Sequence, residues 1–129
     1  PVKIRNTDFL FNSPIVHPAI MTKKSSYDSV NGYSERKYAI RVEDYDIFMR
    51  MKAGGVRMEV IQEVLFDYRD DRENSIRRKK YKYRVNEFIV RVKGFKKLHL
   101  FPKSIVYSFK PLIVGLVPVS VIRKIRERQ

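Results

Sequence analysis

The stretch YAIRVEDYDIFMRMKAGG, residues 38–55, sets three carboxylates, Glu43, Asp44 and Asp46, where an apolar helix begins. Carboxylates at such a place can do three kinds of work. They can offset the positive helix N-terminus, hold a divalent cation, or take a proton from a reacting hydroxyl. On a wheel of about 100° per residue, Ile47, Phe48 and Met51 form one apolar stripe, and Asp44 falls within it one turn earlier. Asp46 points elsewhere and stands at i,i+4 from Arg50, which predicts a solvent-side ion pair. Complementing the helix dipole, at roughly 0.3–1 kcal/mol per acid, accounts for Glu43 and Asp46. It does not account for an acid on the apolar face. The string Asp44-Tyr45-Asp46 is no metal box on a helix, because side chains two residues apart diverge by about 200° and cannot converge on one ion.

The elements that must position these acids are short. SPIVHPAIMTKK reads as a strand interrupted by prolines, and SSYDSV as a short helix with a Ser cap, closed by the turn dipeptide Asn31-Gly32. Residues 34–42 read as loop. A helix is predicted from Glu43 to Ala53, stopped by Gly54-Gly55. VRMEVI and VLFDYR read as two short strands, and DDRENS as a loop. From Arg77 the pattern is helical: a long basic helix to about residues 93–98, then segments divided by Pro102, Pro111 and Pro118. The mixture is α/β, and its chemistry-bearing residues lie before the basic helix.

Composition narrows the setting. The chain of 129 residues is long enough for one domain with a modest core. It has no cysteine, which excludes a disulfide framework and any thiolate metal site. The segment from Pro111 to Ile122 falls short of the ~20 apolar residues of a spanning helix. The formal net charge of +14 is unevenly spread. Residues 1–76 hold 12 basic and 12 acidic residues, whereas residues 77–129 hold 16 basic residues and only Glu87 and Glu127. The expected organisation is therefore a neutral body, 1–76, and a basic helical C-terminal extension, 77–129.

Three segments, SPIVHPAIMTKKSSYDSVNGYSE, VEDYDIFMRMKAGG and VLFDYRDDRENSIRRK, resemble in order and spacing the second half of the family-2 glycosyltransferases, bacterial nucleotide-sugar enzymes of the GT-A fold. The resemblance covers about residues 12–79. It implies the C-terminal, acceptor-side half of a GT-A, Rossmann-like domain followed by the basic tail. It also implies an inverting transferase of hexosyl type in which Asp44 is the general base and Glu43 supports it. In such a reaction a carboxylate takes the acceptor hydroxyl's proton as that oxygen attacks the anomeric carbon. The departing nucleoside diphosphate needs charge neutralisation rather than a general acid.

His17 matches a family histidine on the acceptor side; the residues alone equally allow a strand histidine bonded in the core. Gly32 and Tyr33, with Asn31, match a glycine–aromatic loop near the acceptor, and Asn31 reads as well as an ordinary turn residue. Arg69 is expected to approach the diphosphate or to pair with Asp67 or Asp70. Asp71 stands where many relatives carry a histidine that helps hold metal or diphosphate. The main ligands of the manganese or magnesium ion are expected in an N-terminal half that precedes these motifs. The expectation is thus a C-terminal portion of a longer enzyme, inactive and metal-free alone, and prone to self-association. Its partners would be a nucleotide-sugar donor and a glycan or lipid-linked acceptor in surface polysaccharide synthesis, on the cytoplasmic face of the membrane.

The basic tail allows two further readings. RRKKYKYR, with ten basic residues between Arg77 and Lys97 and interleaved Tyr81 and Tyr83, could bind nucleic acid through phosphates and stacking. Alternatively, Ile105, Val106, Phe109, Leu112, Ile113, Leu116 and Val117 recur at helical spacing, which suits an interfacial helix on an anionic membrane surface.

Overall fold

A computed structural model describes residues 1–67, 80–118 and 121. The core is built where two helices cross. Helix α2, Glu43–Ala53, buries Tyr45, Ile47, Phe48, Met49 and Met51, and Gly54 and Gly55 end it as the sequence predicts. Helix α3, Tyr81–Lys97, brings Val90, Phe95 and, just past its end, Leu98 against that surface. The N-terminal segment closes the cluster with Ile4 and Phe9.

The sheet is small. Strand β1, Val2–Lys3, pairs antiparallel with β2, Glu59–Val60, with Val2 opposite Val60 and Lys3 opposite Glu59. VRMEVI thus forms a strand over only two residues, and the described part of VLFDYR, residues 64–67, forms none. SPIVHPAIMTKK holds no strand. His17–Ala19 is a single 3-10 turn with Pro18 inside it, because proline fixes a helical φ and donates no ladder hydrogen bond. Helix α1, Lys24–Asp28, starts before the expected serine cap: Lys23 takes the N-cap position, and its carbonyl accepts the Ser26 and Tyr27 N–H groups. The Asn31-Gly32 turn is present, both residues having positive φ, 57° and 65°. A 3-10 turn at Lys37–Ala39 interrupts the loop expected at 34–42.

Two short helices complete the described chain, α4 over Ile105–Ser108 and α5 over Lys110–Leu116. Pro111 opens α5 instead of separating segments, since the first turn of a helix has no use for the missing N–H. Both helices lie along α3, which itself packs on α2 and on the 3-10 turn at Lys37–Ala39. Arg69, Asp71, Arg77, Arg78, Lys79 and the basic residues Arg123 to Arg128 lie outside the described residues. No helix among the described residues is long and apolar enough to cross a membrane.

Candidate functional site

The first turn of α2 is the centre of the site. Glu43 is exposed and Asp44 half-buried, and Asp44 Oδ1 accepts the Tyr45 N–H at 2.8 Å. Among the described residues no other hydrogen bond engages the Asp44 carboxylate. That leaves a second oxygen beside a helix N-terminus, fixed in direction and open to an incoming hydroxyl.

Asp46 behaves differently from its expected solvent-side place. It is 8% exposed, and its carboxylate meets Arg50 Nε at 2.7 Å. The rest of the Arg50 guanidinium donates to the Val30 carbonyl at 2.6 Å and the Gly32 carbonyl at 2.8 Å. The wheel underestimated burial because α2 is covered on several sides, by α3 and by the loops before it, and not along one stripe. Asp46 and Arg50 therefore brace the Asn31-Gly32 turn against α2. A Cβ at Gly32 would stand 2.9 Å from Tyr27 Cε1, so the turn also needs a glycine for room.

That brace presents an aromatic cluster. Tyr33 packs edge-on to Tyr27, with ring centroids 5.4 Å apart, and to His17 at 5.8 Å. His17 Nε2 and the Tyr33 hydroxyl form a 2.6 Å hydrogen bond, and the His17 ring rests on Phe48 of α2 at 6.0 Å. His17 is exposed, which removes the alternative of a histidine bonded inside the core. Burial raises the Tyr33 hydroxyl above its ordinary value of 10, and Tyr27 and the Asp44 and Glu43 carboxylates add to the shift. The hydroxyl thus stays protonated at neutral pH. The same influence sets Asp44 and Glu43 in Tyr33's electrostatic surroundings.

Two open grooves flank this tyrosine. One, of about 510 Å³, is lined by Tyr27, Asp28, Asn31, Gly32, Tyr33 and Glu35. The other, of about 440 Å³, runs past Glu35, Arg36, Ile40 and Arg41 to Glu43. Neither is lined by Asp44 or His17. Arg41 holds a left-handed φ of 70°, and its guanidinium lies 5.8 Å from the Tyr83 ring of α3. Asn86 of α3 donates to the carbonyls of Lys37 and Ile40 and fixes the floor of this second groove.

The structure therefore brings His17, Gly32 and Tyr33 together along α2, through Phe48 and Arg50, and sets Tyr33 within the electrostatic reach of Glu43 and Asp44 at the first turn. Arg69 and Asp71 lie outside the described residues. Among the described residues no three His, Asp or Glu side chains converge to hold a metal ion. Sequence reasoning missed Asp46 and Arg50 as the brace of the site, and the signal was present. Arg50 follows Asp46 at i,i+4 on a helix that is apolar on more than one side.

The chain is 27% identical over 117 residues, 91% of its length, to a Bacillus subtilis (strain 168) protein named as a glycosyltransferase, EpsE. It is 31% identical over 110 residues, 84% of its length, to the UDP-Gal:alpha-D-GlcNAc-diphosphoundecaprenol beta-1,3-galactosyltransferase of Escherichia coli. The matched segments make up 42% and 38% of those proteins, so the chain spans about two fifths of their length. No protein-family model and no solved structure matches it. Relatives named as glycosyltransferases, aligned over most of its residues at 27% and 31% identity, support placing the chain among the glycosyltransferases.

Proposed function

We propose that this chain is the acceptor-side portion of an inverting, nucleotide-sugar-dependent glycosyltransferase of GT-A fold and hexosyl type, acting in surface polysaccharide or glycan assembly. The observation that carries the reading is the half-buried Asp44 carboxylate at the first turn of α2. One of its oxygens is braced by the Tyr45 N–H, and it stands in the surroundings of the Tyr33–His17 pair. In this reading Asp44 takes the proton of an acceptor hydroxyl as that oxygen bonds to the anomeric carbon. The bond from that carbon to the nucleoside diphosphate breaks, and the diphosphate leaves with the electron pair. Glu43 stands beside Asp44 in a supporting role, and the aromatic faces of Tyr33 and Tyr27 offer a platform for an acceptor sugar ring.

The E. coli relative is named for a UDP-sugar donor and a diphosphoundecaprenol-linked acceptor, and a lipid-linked glycan of that class is the acceptor proposed here. A divalent manganese or magnesium ion would neutralise the leaving diphosphate. The described residues do not fit it, so its ligands are assigned elsewhere, with Asp71 a candidate among the residues not described. Residues 1–129 alone are accordingly assigned no transfer activity. The exposed apolar residues Val60, Ile61, Val64 and Leu65 favour self-association of the isolated chain.

Asp44→Asn tests the assignment in a protein that includes the donor-binding portion, assayed by nucleoside diphosphate release from UDP-sugars. Turnover should fall by ~10²–10⁴, about 3–5 kcal/mol of barrier, with the circular dichroism spectrum unchanged. Asp8→Asn, remote from the site, should leave turnover within about twofold of the parent. Equal turnover in the two variants would remove Asp44 from the base role.

A further inference from the structure

The helices that follow α3 bury small residues and half-bury Tyr107 and Leu112, while a run of large apolar residues faces outward. Ser104, Ser108 and Pro111 are buried, and a Cβ on Gly115 would stand 3.0 Å from both the Tyr81 ring and the Arg84 stem. Facing out, Val106 is 73% exposed, Phe109 45%, Ile113 62% and Leu116 73%. These positions recur every three or four residues, so they form one stripe along α4 and α5. Phe109 carries the stripe onto α3 through Phe88, with centroids 5.0 Å apart, and Tyr81 and Val85 of α3 are themselves exposed. A helix whose only neighbours are its own core and water turns its large apolar residues inward. An outward stripe of this size, beyond what the inner face buries, calls for an apolar neighbour outside.

Charge identifies that neighbour. Between Lys80 and Pro118 the sequence holds nine Lys and Arg residues and a single acid, Glu87. Arg84 and Arg91 already share Glu87, at 3.6 and 3.0 Å. Lys80, Lys82, Lys93, Lys96, Lys97 and Lys103 are exposed along the same helices. An anionic bilayer surface satisfies both features at once, since its acyl boundary receives the apolar stripe and its headgroups receive the lysines. We propose that the α4–α5 stripe, continued by Tyr81 and Val85, is the face by which this protein lies on an anionic lipid surface.

The same end of α3 reaches the candidate site, because Tyr83 lies under Arg41 of the second groove while Tyr81 packs on Gly115 of α5. A lipid-borne acceptor would thus be presented beside that groove. The lipid proposal stands without the assigned role of Asp44, and its test uses no transferase assay.

Flotation with vesicles of roughly 30% phosphatidylglycerol in phosphatidylcholine, against phosphatidylcholine alone, decides it. The protein should float only with the anionic vesicles and should detach between about 0.05 and 0.5 M salt. The triple variant Val106→Ser, Ile113→Ser, Leu116→Ser alters exposed side chains only, and should need about tenfold more lipid for the same binding. Since the chain has no tryptophan, Ile113→Trp supplies a lone reporter whose emission should shift to the blue on anionic vesicles. The proposal is overturned by a triple variant that floats as well as the parent, or by reporter emission that vesicles do not move. A lipid-free dimer that the triple variant dissolves would also overturn it, assigning the stripe to a second copy of the chain.

Discussion

Arg50 leaves α2 to hold two carbonyls of the preceding loop, and Asp46 holds Arg50, so a pair within one helix fixes a turn outside it. The side chains are 17% and 11% exposed, so water replaces these bonds poorly. Asp46→Asn keeps the shape but loses the charge, and should lower stability to urea by about 1–3 kcal/mol while leaving helix content intact. An unmoved urea midpoint would show that the brace is decorative. Asp8 gives the pH counterpart. The Arg5 N–H at 2.8 Å and the Arg5 guanidinium at 3.0 Å hold its carboxyl below the ordinary 3.8. A depressed folded value means stability that is present above pH 3.8 and lost as pH falls through the folded value. The stability difference between the parent and Asp8→Asn should therefore be constant at neutral pH and shrink below about pH 4, measured by urea titration at several pH values. A difference that grows on acidification would reverse the sign and refute the linkage. At this scale the sequence identified Asp44 as an acid on an apolar face but misplaced Asp46. A wheel records direction around one helix, not how many neighbours that helix has.

Helices α2 and α3 approach closely because Gly94 offers no side chain where Met49 arrives. A Cβ on Gly94 would stand 2.3 Å from Met49 Sδ and 3.3 Å from Met49 Cβ. Met49 is fully buried, so its flexible end has nowhere to turn. Gly94→Ala gains about 1 kcal/mol of helix propensity but overpacks the crossing by about 1–3 kcal/mol, occasionally more, for a net loss of stability. The variant Gly94→Ala with Met49→Ala should be less damaged than the two single losses added together, by at least ~1 kcal/mol in a urea double-mutant cycle. Strict additivity would mean that the helices can slide apart at no cost. Element bounds were legible where a local signal sufficed. Gly54-Gly55 ends α2 whatever surrounds it, and Asn31-Gly32 turns the chain by its own φ preferences. Strands were not legible. Val56 to Ile61 has strand composition, but it pairs as a strand only at Glu59 and Val60, with one further backbone bond from the Ile4 N–H to the Met58 carbonyl. The prolines around His17 gave the right warning and the wrong element, since a proline that weakens a strand suits the start of a 3-10 turn.

For the molecule as a whole, one residue of the basic segment decides how its parts are joined. Arg91 lies on α3 among Val90, Gly94 and Phe95 and is only 1% exposed. Its guanidinium donates to Glu87 at 3.0 Å, to the carbonyls of Leu10 and Phe11 at 2.8 Å each, and to the Tyr107 carbonyl at 3.4 Å. It also lies 5.2 Å from the Tyr45 ring of α2, whose hydroxyl donates to the Phe9 carbonyl and is pushed upward in pKa by burial. The N-terminal segment, α2, α3 and α4 thus meet at one planar cation. Counting Arg91 with the charges of a solvated face, as a run of ten basic residues invites, overlooks that it follows Glu87 at i,i+4 and precedes Phe95 at i,i+4, on the stripe that α3 buries. Lysine cannot replace it, because a point charge on a flexible stem does not span carbonyls on two sides. Arg91→Lys should cost about 2–4 kcal/mol of stability and Arg91→Met about 3–5 kcal/mol, since Met removes the partner of the Leu10 carbonyl, leaves Glu87 with Arg84 alone and leaves the Phe11 carbonyl with Lys110 alone. Urea unfolding followed by far-ultraviolet circular dichroism measures both. Full stability in Arg91→Met would mean that the N-terminal segment does not need Arg91, and that residues 1–67 and the basic helices hold together by apolar contact and the remaining hydrogen bonds of Asn6, Asn86 and Lys110.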